Sequence, residues 1–186
     1  MHPVIFAHGL ESSPEGTKAT YLNERFGAVS PHLRKLDLDG QIDTLVALLK
    51  ENRNTVLVGS SLGALAAIGA ANRVPETIAH LLLLAPAVGV EHRAEIFKEA
   101  VKDRPGIFEQ AIRLARNRVP ETIPCTIVHG LADDVVPWND VVQLALRSPS
   151  ARLVLVHDGH QLGQSADLIL SAVEMAAGSR DPLVLV

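Results

Sequence analysis

Residues 55–63 read Thr-Val-Leu-Val-Gly-Ser-Ser-Leu-Gly, an apolar run that stops at Gly59-x-Ser61-x-Gly63. No other stretch of the chain restricts its fold as much. Val56, Leu57 and Val58 have the composition of a buried strand, and Ala64 to Ala71 supply helix formers directly after it. A serine between the two sits on a strained strand-to-helix turn, so the side chains two before and two after it must nearly vanish. Such a turn also places the N–H of Leu62 at a helix N-terminus, where it can donate to a developing oxyanion. Without its flanks, the five-residue pattern is a Gly/Ser turn of any α/β protein. With them, Ser61 is a candidate nucleophile, and Ser60, which lacks the paired glycines, is not.

The rest of the chain alternates in the same rhythm. Strands are expected near Pro3–His8, Leu33–Leu38, Thr55–Gly59, Ala79–Ala85, Cys125–His129 and Leu153–His157. Several are continuous apolar runs, the mark of a parallel sheet buried on both faces. Helical patterns lie between them at Lys18–Phe26, Ile42–Glu51, Leu62–Asn72, Trp138–Leu146 and around Ser165–Ala177, with Asp39-Gly40 and Pro75 as punctuation. This alternation predicts an open, doubly wound α/β sheet in a single domain spanning 1–186.

One segment is longer than a crossover requires. Residues 91–119 hold two charge-rich helical stretches, Arg93–Lys102 and Phe108–Arg118, split by Pro105-Gly106. They read either as a small helical cap above the carboxyl edge of the sheet or as a pair of ordinary crossover helices. Ile96, Phe97, Ile107, Phe108, Ile112 and Leu114 give the segment more apolar side chains than a solvated pair needs. Phe97 and Phe108 are therefore candidates for lining an acyl pocket. The heptapeptide Asn-Arg-Val-Pro-Glu-Thr-Ile, found at 72–78 and again at 117–123, has unmatched surroundings and marks no repeat architecture.

Open parallel sheets bind ligands outside the carboxyl ends of their strands. Two further strand ends carry chemistry. After the fifth expected strand comes His129-Gly130-Leu-Ala-Asp133-Asp134, and after the sixth comes His157-Asp158-Gly159-His160. Serine, aspartate and histidine thus follow in chain order Ser61, Asp133, His160. A serine hydroxyl needs a base, and an imidazole, with an ordinary pKa near ~6.5, is suited to the task. A carboxylate then fixes the imidazole tautomer and stabilises its charged form. Asp133 is preferred to Asp134 because it lies closer to the strand, and His157 is the rival base. His8-Gly9-Leu10 follows the first strand, and the N–H of Leu10 is a second candidate oxyanion donor beside that of Leu62. His8 itself reads as a structural histidine at a strand end, and Glu11 to Lys18 as a polar rim loop.

The composition excludes several classes. Seventeen basic and 21 acidic residues leave a formal net charge of -4, which gives no electrostatic basis for binding nucleic acid or an anionic membrane. Apolar stretches such as Leu81 to Val90 are too short to span a bilayer, and no signal peptide is visible, so a cytoplasmic protein is expected. The single cysteine, Cys125, permits no internal disulfide and is expected to be a buried, inert thiol.

The segments Ala-His8-Gly9-Leu-Glu-Ser-Ser13-Pro14-Glu-Gly-Thr-Lys18-Ala, Gly59-Ser-Ser61-Leu-Gly63, His129-Gly-Leu-Ala-Asp133 and Gly159-His160 together resemble the α/β-hydrolase superfamily. Within it the chain is similar to the small YqiA-like esterases, along essentially its whole length. The resemblance implies an α/β-hydrolase fold of six parallel strands in order 2-1-3-4-5-6. It further implies a Ser61/Asp133/His160 triad, no cofactor or metal, and hydrolysis of a small-molecule carboxylic ester or thioester. Two other readings stand beside it. One is a metal-dependent hydrolase using His8, His129, His157 and His160 with Asp133 or Asp134, in which the serine turn would have no purpose. The other is a hydrolase fold kept as a non-catalytic binding module.

Overall fold

The computed structural model describes residues 1–104 and 106–178. Five strands form one parallel sheet in the order β1-β2-β3-β4-β5: β1 (Val4–Ala7), β2 (Thr55–Ser60), β3 (Ile78–Leu84), β4 (Cys125–Gly130) and β5 (Ala151–Val156). Among the described residues, seven α-helices surround it: α1 (Thr17–Phe26), α2 (Leu38–Glu51), α3 (Leu62–Arg73), α4 (Ala94–Ala100), α5 (Ile107–Ala115), α6 (Trp138–Leu146) and α7 (Ala166–Gly178). None of the described helices is long and apolar enough to cross a membrane.

Alternate strand residues pack on opposite helical layers. Val4, Phe6, Val56, Val58, Leu82, Leu84 and Val128 meet Leu22 of α1 and Ile169 and Val173 of α7. Ile5, Ala7, Leu57, Leu81, Leu83 and Ile127 meet α2, α3, α5 and α6 through residues such as Leu45, Ile68, Leu114 and Val141. All residues of β1 and β2 are buried, as strands covered on both faces must be. At the edge, β5 has no fully buried residue: Arg152 and Leu155 are exposed, as is His157 just past it.

Among the described residues the sheet has five strands where six are expected, because the chain at Leu33–Leu38 is not a strand. Beside β1 the ladder reduces to one parallel bridge, Ile5 to Val29, in which Val29 N–H donates to Val4 O at 3.0 Å and Phe6 N–H to Val29 O at 2.9 Å. Pro31 then offers no N–H to continue it. Asp37 competes for the far end of the segment, accepting from Gly40 N–H at 2.8 Å as the N-cap of α2. Asp39-Gly40 consequently falls inside the first turn of α2. Leu33 and Leu38 are fully buried in this turn-rich path. It carries the chain around the β1 edge from the α1 face to the α2 face.

Candidate active site

Ser61 adopts φ 54° and ψ -119°, a conformation that costs a non-glycine residue on the order of 1–3 kcal/mol. The elbow is held by its neighbours: Ser61 N–H donates to Leu84 O at 2.9 Å, and Ser61 O accepts from Ala64 N–H and Ala87 N–H. The paired glycines are there for clearance. A Cβ at Gly63 would collide with the carbonyl oxygens of Ala7 and His8, and one at Gly59 would lie 2.7 Å from Ala64 Cα. Ser60, the last residue of β2, is buried, whereas Ser61 is partly open.

Three strand ends meet here. His160 Nε2 is 3.0 Å from Ser61 Oγ, and His160 Nδ1 is 2.8 Å from Asp133 Oδ2. A carboxylate oxygen only accepts, so Nδ1 carries a proton and Nε2 presents its lone pair to the serine hydroxyl. Asp133 has a fully buried side chain whose other oxygen accepts from Val135 N–H at 2.9 Å and Val136 N–H at 2.7 Å. Burial alone would raise this carboxyl's pKa. The hydrogen bonds from His160, Val136 and Val135 outweigh it and hold the group below the ordinary carboxylate range. Asp134 is exposed, and its backbone carbonyl accepts from Arg93 at 2.8 Å.

The remaining expected site residues are distributed around this line. Gly9 abuts Ser61, since a Cβ built on it would lie 3.1 Å from Ser61 Cβ, which brings the Leu10 loop to the serine. Among the described residues, neither Leu10 N–H nor Leu62 N–H donates to a loop or cap carbonyl. His8 is structural: its Nε2 accepts from Leu33 N–H at 3.4 Å and its Nδ1–H faces Gly9 O at 3.0 Å. His157 is exposed just past β5, and the ring nitrogen bonded to Ser61 Oγ is that of His160. His129 and His160 both approach Asp133 while His8 bonds at the end of β1, and among the described residues no group of three or more His, Cys, Asp or Glu is arranged to hold a metal ion. Cys125 is buried, and burial pushes its thiol pKa up.

Phe97 of α4 and Phe108 of α5 pair with ring centroids 6.0 Å apart, and both are partly buried. Helix α5 lies in the helical layer with Ile107, Ala111 and Leu114 inward, and Gln110 is tied to the start of α2 by Leu38 N–H at 2.9 Å. Helix α4 buries none of its residues fully.

Two residues around the histidine escaped sequence reasoning. Asp158 accepts from Gly159 N–H, Gln164 N–H and Ser165 Oγ–H, and so folds the loop that carries His160. Lys18, from the polar rim loop, donates to Gln161 O at 2.6 Å. The available signal was slight: an aspartate two residues before the histidine and a serine seven residues further on.

Residues 4–167 match the model of a family described as serine hydrolase. The chain belongs to that family. Its similarity extends to the palmitoyl-protein thioesterase ABHD10, mitochondrial, of Pongo abelii and Homo sapiens, at 28% and 27% identity over 90% of this chain and 69% of those proteins. Among solved structures, a hydrolase of the alpha/beta superfamily from Xanthomonas campestris pv. campestris superposes with a TM-score of 0.71. It is 27% identical and covers 96% of this chain and 98% of its own. Alpha/beta hydrolase domain-containing protein 10 from mouse superposes with a TM-score of 0.75 at 21% identity, over 92% and 88% of the two chains. The fold is therefore that of the α/β hydrolases, and the protein is a hydrolase.

Proposed function

We propose that the chain hydrolyses carboxylic esters or thioesters of small, apolar acyl groups through a covalent acyl-enzyme on Ser61. The observation that carries this reading is the continuous hydrogen-bonded line from Ser61 Oγ through His160 to Asp133. As Oγ attacks the acyl carbonyl, its proton moves to His160 Nε2, and Asp133 stabilises the imidazolium. The N–H groups of Leu62 and Leu10 receive the negative charge that develops on the carbonyl oxygen. Collapse of the adduct breaks the bond to the alcohol or thiol, which leaves with the proton from His160. Water deprotonated by His160 then attacks the acyl carbon, releasing the acid and restoring the Ser61 hydroxyl.

The thioester half of this reading draws support from the name of the similar thioesterases. The acyl chain is taken by the segment around Phe97 and Phe108, whose paired rings are partly open. A fluorophosphonate probe followed by peptide mass spectrometry tests the assignment. Label is expected on Ser61 alone, and Ser61→Ala should neither label nor turn over esters, a loss on the order of 10⁶ in kcat by the subtilisin precedent. Label on Ser60, or on the Ser61→Ala protein, sinks the assignment. Turnover abolished by a chelator would favour the metal-dependent reading, and neither labelling nor turnover would favour a binding module.

A further inference from the structure

His129 is the last side chain before the Asp133 loop that the acyl-transfer reading leaves without a task. It is wholly buried near the end of β4, with Nε2 3.0 Å from Val136 O and 3.5 Å from Asp133 Oδ2. Both neighbours only accept, so Nε2 carries the ring proton. Nδ1 has no hydrogen-bond partner among the described residues. The ring N–H is bonded to Val136 O, and its positive end also lies 3.5 Å from the Asp133 oxygen that takes the short bond from His160, within electrostatic reach of it without a hydrogen bond.

We propose that His129 is a positioning residue that acts through Asp133: held by Val136 O, its N–H dipole faces Oδ2 and sets how strongly that oxygen attracts the His160 proton. The proposal rests on the serine-hydrolase mechanism above. The position of the carboxylate is secured independently, because its other oxygen is bound by the N–H groups of Val135 and Val136. What His129 alters is the charge left on Oδ2 for His160.

The neutral state of His129 belongs to this arrangement. A second proton on Nδ1 would be buried without an acceptor, and burial holds the group's pKa below the ordinary histidine value despite the nearby Asp133. A charged His129 would form a full ion pair with Asp133 and compete directly with His160. The other charged groups around this cluster are engaged elsewhere. Arg93 donates to Asp134 O, Lys18 to Gln161 O, and Asp158 accepts from Gly159, Gln164 and Ser165.

The experiment follows the rate of fluorophosphonate labelling of Ser61 from pH 5 to 9, which needs no knowledge of the natural substrate. In His129→Leu the N–H dipole beside Oδ2 is gone, the imidazolium of His160 is better stabilised, and the acid limb should move to higher pH by about half a unit or more. In His129→Gln the side-chain amide reaches the place of Nε2–H, and the limb should stay at its wild-type position. An unshifted limb in a folded His129→Leu protein overturns the proposal, as does an equal shift in both variants. If the leucine variant fails to fold, His129→Asn takes its place. Its shorter amide reaches only the Nδ1 position, so the same upward shift is expected and its absence is equally decisive. Wild-type protein that never labels on Ser61 would instead sink the serine mechanism itself.

Discussion

Asp133 and Asp134 are the same residue type one position apart, and their surroundings divide them completely. The Asp133 side chain is fully buried and bonded to three N–H donors, whereas Asp134 is exposed. Asp133→Asn should leave the fold intact but place the His160 proton on the wrong nitrogen, lowering kcat by ~10⁴ as in the serine proteases. Asp134→Asn should change kcat by less than about twofold, as expected for a surface substitution away from such features. The reverse pattern in steady-state ester kinetics would reassign the orienting carboxylate. Sequence reasoning prefers Asp133 for its shorter distance from the strand. The turn that decides the matter, in which Oδ1 closes onto Val135 and Val136, is invisible in a run of Asp-Asp-Val-Val. Asp158 is less legible still, because its three donors belong to a loop whose path is set only by the packed fold.

Elements differ in how much of their identity is local. Helix α6 occupies Trp138–Leu146 as its apolar spacing predicts, and β2 and α3 meet at Ser61 because glycine clearance leaves the turn little alternative. The segment at Leu33–Leu38 has strand-like text, yet Pro31 and the Asp37 cap turn it into a link to α2. That outcome depends on competition between a cap and a ladder, which residue type alone does not settle. The 91–119 segment divides in the same way. Helix α5 is fastened to the core and to α2, while α4 is attached to it through the Phe97–Phe108 pair. If these rings line the acyl groove, Phe97→Ala and Phe108→Ala should shift chain-length preference in kcat/KM and spare the shortest esters. Each methylene contributes at most ~0.8 kcal/mol, so the preference should be graded. An unchanged profile in both folded variants would leave α4 and α5 as plain crossover helices.

At the scale of the whole molecule, the strand-end chemistry depends on a sheet that stays closed between its two helical layers. Its acid response has an identifiable contributor far from Ser61. His80 lies on β3 with Nε2 3.0 Å from Thr126 Oγ1 on β4, near the amino ends of the strands. Burial, reinforced by the charge of Arg152, lowers its pKa from the ordinary 6.5 to about 4. An unfolded chain therefore takes up this proton at a higher pH than the folded one. The stability that follows from a neutral His80 is fully present above about pH 6.5 and is lost progressively as pH falls towards 4. Asp133 and Asp158, whose carboxyls are held below their ordinary 3.8, add acid sensitivity only below that window. Buried His129 acts in the same direction as His80 and is unaffected by a change at position 80. His80→Gln keeps a polar partner for Thr126 and cannot ionise. Urea unfolding at pH 7 and pH 5 should show a smaller loss of stability on acidification for His80→Gln than for the wild type. Equal losses would mean that His80 titrates alike in both states, and that the burial seen around it does not govern its charge.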